Sequence, residues 1–372
     1  MRIRIPVENG DTRKAVQLLL GSLLSEGLVD LLLVPMRTPA GTIAPALVSD
    51  PALLEQADPL APVLPVNAAT LVGQVSVRKP RPRVGTVLRS CEARALVELV
   101  KLQQASLEDL LLISVDCAGT YGVTEYLKRL SGNGRQPEDL LWQDLFAAAL
   151  QTPATPDEEL RLACKMCEQP VFDQAQVVIE LLRGDLDQQI LVSMPDTMAE
   201  KLGFTPQPGA AQREGLPALL QARSARRDAE LAAIRQRLEG EEKLTGIFAA
   251  CIRCHNCMTV CPICYCKTCV FRSPVFDHEP MQYLAWTRQK GACRMPFDTT
   301  LFHLSRLNHM ALSCVGCGMC TEACPAELPV GSVFRAIGQR LQTVFEYLPG
   351  KDPDEKPPLI TFKADEWSEV GE

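Results

Sequence analysis

Sixteen cysteines lie in 372 residues, and half of them fall in two copies of one pattern. Cys251, Cys254, Cys257 and Cys261 are followed by Pro262, and Cys314, Cys317, Cys320 and Cys324 by Pro325. In the run C-x-x-C-x-x-C-x-x-x-C-P, three cysteines hold one 4Fe-4S cluster and the fourth holds the cluster of the other copy. That crossover assigns one cluster to Cys251, Cys254, Cys257 and Cys324, and a second to Cys314, Cys317, Cys320 and Cys261. Each proline turns the chain away from the metal, because it fixes φ and brings no N–H. Structural zinc needs two cysteines from each arm; here each arm offers three, and a fourth before proline.

The other eight cysteines form two groups of four. Cys264, Cys266, Cys269 and Cys293 lie in residues 262–313, where a minimal two-cluster ferredoxin has a short segment. A tight C-x-C-x-x-C with one remote cysteine suits a further metal site, whether a 4Fe-4S cluster or zinc, with free thiols as the remaining alternative. His255, His278, His303 and His309 are not at ligand spacing and read as ordinary polar histidines. Cys91, Cys117, Cys164 and Cys167 make the second group.

Positioning that second group falls to an α/β domain, residues 1–195. Thr12 is read as the cap of an amphipathic helix that stops at Gly27. A buried strand follows over 28–34, another over 42–48, and Asp50-Pro51 opens a short helix. The strand VGTVLR delivers Cys91 to the first turn of a helix, where the dipole and free N–H groups favour a thiolate. The strand LLLISVD ends at Cys117, one crossover helix later. In a parallel βαβ unit both cysteines then lie on the same edge of the sheet, where ligands collect. If the C-x-x-C of Cys164 and Cys167 folds over that edge, four thiols converge on a third 4Fe-4S cluster.

Residues 196–245 read as a linker and a solvated connecting helix. Residues 246–348 read as a ferredoxin-like (α+β) domain of the bacterial two-cluster type, with the insertion 262–313. A helix near Pro329 packs against it, and 349–372 reads as a free acidic tail. No apolar run is long enough for a membrane span. The formal charge is −7 with cysteine counted neutral, and each oxidised cluster with four thiolates adds about two more negative charges. Nucleic acid is excluded as a partner on that ground. The opening residues are too polar for a secretory leader, so reduced thiols in the cytoplasm are expected.

The order of these elements resembles the coenzyme F420 hydrogenase/dehydrogenase beta-subunit family. The likeness runs through EGLVDLLLV, VGTVLRSCEARAL, ISVDCAGTYG, CKMCEQP and the two cysteine runs. The turn Arg89-Ser90-Cys91-Glu92 is nearer to the branch found beside bacterial formate dehydrogenases and heterodisulfide-reductase-like complexes than to G-T-P-C-Q. The resemblance implies cluster ligation by Cys91, Cys117, Cys164 and Cys167, and FAD between the α/β and cluster domains. Flavin contacts are then expected from the basic loop at Arg78 and Lys79, and from Gly119, Thr120, Tyr121 and Gly122. The residues alone show no strand-linked G-x-G-x-x-G and no P-loop. They show no acid–base or nucleophile constellation either, so the expected role is an electron-transfer subunit beside a catalytic formate dehydrogenase or hydrogenase subunit. The competing expectation is a flavin-dependent reductase of F420 or a similar hydride carrier.

Overall fold

The computed structural model describes residues 1–77, 82–131, 138–151, 158–182, 185–205, 215–291 and 297–361. Arg78, Lys79 and Cys293 lie outside them. The chain divides into two units, one of residues 1–228, 315–317 and 348–372, the other of residues 229–314 and 318–347.

The first unit is built on a seven-stranded sheet. Its strands are β1 (Arg2–Pro6), β2 (Leu31–Arg37), β3 (Ile43–Val48), β4 (Val84–Arg89), β5 (Leu110–Val115), β6 (Val177–Glu180) and β7 (Gln189–Ser193), in the order β1-β7-β6-β5-β4-β2-β3. β2, β4, β5 and β6 form a parallel centre. β3 closes one edge and β7 with β1 the other, all antiparallel. Parallel strands covered on both faces read as unbroken apolar runs, and β4 is buried along its whole length. The edge strand β1 instead alternates, with Ile3 and Ile5 turned inward.

Local chemistry sets the first elements. The helix Thr12–Ser25 is capped by Asp11, whose Oδ1 accepts from the Lys14 amide at 2.8 Å. Thr12, read above as the cap, instead donates its hydroxyl to the Leu186 carbonyl at 2.5 Å. Gly27 stops the helix in the left-handed region, φ 60°. The amides of Leu28 and Val29 return to the Leu23 carbonyl, so β2 starts at Leu31, three residues later than the apolar run suggested.

The crossover from β4 to β5 is the helix Ser90–Lys101. Arg89 pairs with Val115 across those strands, so Cys91 and Cys117 each follow the paired rung by two residues and leave the sheet at the same edge. The helix also grips the segment read above as a free tail. Arg94 donates to the Pro349 carbonyl from Nε at 3.0 Å and Nη2 at 2.8 Å. Glu98 accepts from the Gly350 amide at 2.7 Å, and Lys101 bridges Glu98 at 3.3 Å and Glu355 at 2.8 Å. Residues 349–361 are therefore anchored, because the i, i+4, i+7 face of this helix is polar and buried.

The second unit is helical. Single turns Asn256–Thr259 and Met319–Glu322 lie within the two cysteine runs and carry Cys257 and Cys320. Between them lie the helices Pro280–Lys290 and Phe297–Met310, and Val330–Val344 comes after. At Gly338 a Cβ would come within 2.5 Å of the Ala311 carbonyl oxygen, so the glycine lets two segments touch backbone to backbone. Among the described residues, no helix is long and apolar enough to cross a membrane.

Glu98→Ala leaves the fully buried Lys101 ammonium and the Gly350 amide without this partner. It is expected to destabilise the protein by about 3–5 kcal/mol, whereas Glu355→Ala, one-third exposed, costs less. Denaturant unfolding of both variants, with proteolysis of residues 349–361 as a local probe, measures the difference.

Candidate metal centres

In the first unit, Cys91, Cys117, Cys164 and Cys167 line one cavity. They come from three stretches: the β4 exit, the β5 exit, and the short helix Leu162–Lys165 with the turn after it. That last segment is tied to the sheet edge by backbone bonds from Arg161 N to Thr120 O, 3.1 Å, and Cys117 N to Pro170 O, 3.0 Å. Cys317 lines the same cavity, and its carbonyl accepts from Arg161 Nη1 at 3.4 Å.

Three buried arginines surround these thiols. Arg161 places Nη2 3.6 Å from Cys164 Sγ and donates from Nε to Thr120 Oγ1 at 2.8 Å. Arg223 donates to the Ala118 carbonyl, and its Nε is buried without a hydrogen-bond partner. Arg89 donates to the carbonyls of Val63 and Ala61. Arg223 belongs to Leu216–Glu239, the helix read above as solvated; one of its faces is in fact buried, with Leu219, Arg223, Leu231 and Ile234 inward. An arginine four residues after Leu219 was the available signal.

Electrostatics divide the thiols. Burial pushes Cys91 well above its ordinary range, with the charges of Glu92, Cys317 and Cys117 adding to it and Arg161 opposing. The helix N-terminus, expected to favour a Cys91 thiolate, is outweighed. Cys117 and Cys167 are likewise raised, by burial first. At Cys164 burial works the same way but is overcome by Arg161, the Thr120 hydroxyl and Arg223, so its thiol is held below the ordinary value.

The loop expected to touch flavin faces these thiols. Gly119 and Thr120 line the cavity, and Thr120 Oγ1 is 3.3 Å from Cys164 Sγ. Tyr121 is buried, with Arg129 stacked 4.2 Å from its ring centroid. The Gly122 carbonyl accepts from Tyr126 N at 2.9 Å.

The first cysteine run has the same local backbone as the second. Arg253 and His255 flank Cys254 with φ 58° and 59°; Gly316 and Gly318 flank Cys317 with φ 74° and 73°. Positive φ on both sides of a cysteine curls successive amides inward into an anion-binding nest. Burial raises Cys257 to about 11, Arg306 opposes, and the charges of Cys251, Cys254 and Cys324 raise it further. Burial also lifts Cys264 to about 11, with Cys261, Cys266 and Cys269 acting on it.

The helix Phe297–Met310 lies over that run. His303 Nε2 is 3.4 Å from Cys251 Sγ, Arg306 Nη1 donates to Cys257 Sγ at 3.1 Å, and Cys261 Sγ is 3.6 Å from Met310 Sδ. His303, expected to be an ordinary polar residue, is buried and stacked on Phe248 at 3.7 Å. His255 stacks on Phe302, His278 faces Asp298 at 3.3 Å, and His309 is exposed. Among the described residues, no three Cys, His, Asp or Glu side chains are grouped as for a single metal ion.

Gly119 adopts φ +130°, and a Cβ there would stand 2.9 Å from Leu160 Cδ1. Gly119→Ala is expected to lose about 1–3 kcal/mol of stability, read as a lower denaturant midpoint.

No family model matches the chain. Among curated proteins, the F420-dependent formate dehydrogenase subunit beta of Methanocaldococcus jannaschii is 25% identical over 331 residues, 80% of this chain and 81% of that protein. The F420-dependent formate dehydrogenase 1 subunit beta of Methanococcus maripaludis is 24% identical over 307 residues, 75% of each. Among solved structures, the F420-reducing [NiFe] hydrogenase complex of Methanosarcina barkeri has a chain with TM-score 0.45 and 10% identity, covering 63% of this chain and 92% of that one. The likeness carried by the cysteine turns is thus part of one that spans most of the sequence: this chain is related to the beta subunits of F420-dependent formate dehydrogenases.

Proposed function

We propose that this chain is the iron–sulfur electron-transfer subunit of an oxidoreductase complex, working beside a catalytic formate dehydrogenase or hydrogenase subunit. The observation that carries the proposal is the convergence of Cys91, Cys117, Cys164 and Cys167 from three separate stretches on one cavity. The two C-x-x-C-x-x-C-x-x-x-C-P runs stand beside it, as do relatives named as formate dehydrogenase beta subunits.

The residues fit 4Fe-4S clusters on chemical grounds. Burial, with neighbouring charge adding to it, pushes the thiols of Cys91, Cys117, Cys167, Cys251, Cys257 and Cys264 up, so a cationic inorganic core is what would let four thiolates share one site. Buried nitrogens without hydrogen-bond partners, Arg223 Nε in the first unit and Arg306 Nε and His303 Nδ1 in the second, leave donor capacity beside the sulfurs. Once bound, such clusters supply one-electron transfer at potentials tuned by hydrogen bonds, burial and charge. We assign Cys251, Cys254, Cys257 and Cys324 to one cluster. From run spacing alone, Cys314, Cys317, Cys320 and Cys261 hold a second, and the sheet-edge thiols a third. Cys264, Cys266 and Cys269, with Cys293, are offered as a further site for a cluster, with zinc as its alternative.

The names of the relatives favour a second reading, in which FAD binds this chain and reduces F420 or a similar hydride carrier. Flavin released on denaturation of anaerobically purified protein supports it, and a flavin-free preparation removes it. A heterodisulfide-reductase-like complex is the proposed alternative electron partner.

Anaerobic purification with iron and sulfide analysis is the direct test. Two clusters require about 8 iron atoms per chain, three about 12 and four about 16. Cys91→Ser is expected to remove about 4 of them and spare the rest. Unchanged iron refutes the sheet-edge site, and a colourless zinc protein refutes the whole reading.

A further inference from the structure

The helix Phe297–Met310 belongs to the segment that separates the two cysteine runs, and its buried stripe has a period that a packed helix alone explains. Phe302, His303, Arg306, Leu307 and Met310 face inward while Leu301, Leu304 and His309 face out. What packing alone does not explain is a positive charge in the middle of that stripe. Arginine is almost never fully buried unless it is paired, yet Arg306 is 3% exposed. Among the described residues, the partners its guanidinium meets are sulfur and carbonyl, not carboxylate: it donates to Cys257 Sγ at 3.1 Å and the Cys257 carbonyl at 3.0 Å. Its guanidinium stands over the rings of Phe334, 4.8 Å from the centroid, and Phe302, 5.5 Å. Burial works against its charge but is overcome by the thiolates of Cys257, Cys261, Cys320 and Cys264. These four sulfurs come from both cysteine runs and from the insertion.

We infer that Arg306 is a potential-setting residue, a fixed cation that holds the centres on the two cysteine runs at higher reduction potentials than apolar packing at the same place would allow. The inference rests on the cluster reading above and goes beyond it by naming which side chain tunes the centres and in which direction. Reduction adds one electron, and so one negative charge, without a proton; a guanidinium does not lose its proton in a protein, so it favours the reduced state at every accessible pH. Burial of the ring-lined pocket acts in the opposite sense, since a low dielectric penalises added charge. The charge prevails because the donor lies at hydrogen-bond distance, 3.1 Å, from a ligand sulfur, where a charge-assisted bond is stronger than a neutral one. His303 and Met310 fill the neighbouring positions on the same face, beside Cys251 and Cys261. Arginine sits between them, where its charge meets sulfurs of both runs.

The test is a redox titration of the anaerobically purified full chain, followed by electron paramagnetic resonance, for wild type, Arg306→Met, Arg306→Gln and Arg306→Lys. Iron and sulfide are measured first on each. At the wild-type midpoint, the Met and Gln variants are expected to show an approximately tenfold lower ratio of reduced to oxidised centre, equal to about 59 mV for a one-electron couple. The Lys variant, which keeps the charge on a shorter donor set, is expected to recover most of that loss. Loaded Met or Gln variants with unchanged midpoints overturn the inference, as does a Lys variant that falls as far as Met. Should Met fail to assemble, Gln, which keeps a donor for Cys257 but not the charge, decides the same question. A wild type without iron and sulfide instead overturns the cluster reading on which the inference rests.

Discussion

Thiolates crowded into a low-dielectric interior repel one another, and the rest of the chain is arranged around that repulsion. At an effective dielectric near 20, two like charges 4 Å apart are unfavourable by about 4 kcal/mol, and each centre gathers several such pairs. Burial and neighbouring charge push the thiols of Cys91, Cys117 and Cys257 up accordingly. Cations drawn inward answer the same repulsion. Arg89, Arg161 and Arg223 come from a strand, a loop and a helix to surround one group of cysteines, and Arg306 stands against another. Of the five arginines buried among the described residues, Arg94 is held by backbone carbonyls and the other four stand beside cysteines, the neighbours that crowded sulfur calls for.

The comparison of the two cysteine runs shows what the insertion adds. Both need left-handed backbone on either side of the middle cysteine. The second run meets that need with Gly316 and Gly318, at little steric cost. The first uses Arg253 and His255, each about 1–2 kcal/mol worse there, and both side chains are engaged by the insertion. Arg253 donates to the Tyr283 hydroxyl at 2.7 Å and the Phe276 carbonyl at 3.0 Å, and pairs with Asp298 at 2.7 Å. His255 stacks on Phe302. Local strain is offset by tertiary contact, so the first run is shaped by its covering where the second is shaped by its sequence.

The cysteines were legible because ligand spacing is a local property, written in a dozen residues. The convergence of Cys91 and Cys117 was legible too, since a strand, a helix and a second strand leave little freedom for where the two exits lie. The arginines were not. Arg161, Arg223 and Arg306 look like ordinary surface charges until tertiary packing turns them inward; for Arg223 and Arg306 the cue lies in position rather than type, each falling where an apolar residue of its helical stripe was due, whereas Arg161, just ahead of the short helix Leu162–Lys165, carries no such cue. The helix Leu216–Glu239 was misread for that reason, its many charges hiding a single buried face. The C-terminal segment was misread for the complementary one. Acidic, proline-rich composition argues against a core, but residues 349–361 need none of their own when Arg94, Glu98 and Lys101 supply the partners.

One helix of the first unit links these features. Ser90–Lys101 carries Cys91 in its first turn, toward the thiol cavity, and one turn further on Arg94 holds the carbonyls of Val315, at 3.3 Å, and Pro349. The short stretch 315–317 thus meets the sheet unit through two arginines, Arg94 at Val315 and Arg161 at Cys317. Both contacts are made to backbone oxygen, which leaves the Cys317 sulfur uncommitted by them. A ligand sulfur placed by its backbone keeps its position whatever its charge, whereas one held by ion pairing would move as that charge changed. For a centre of the electron-transfer kind proposed above, position independent of charge is the property that would keep the geometry the same in both states.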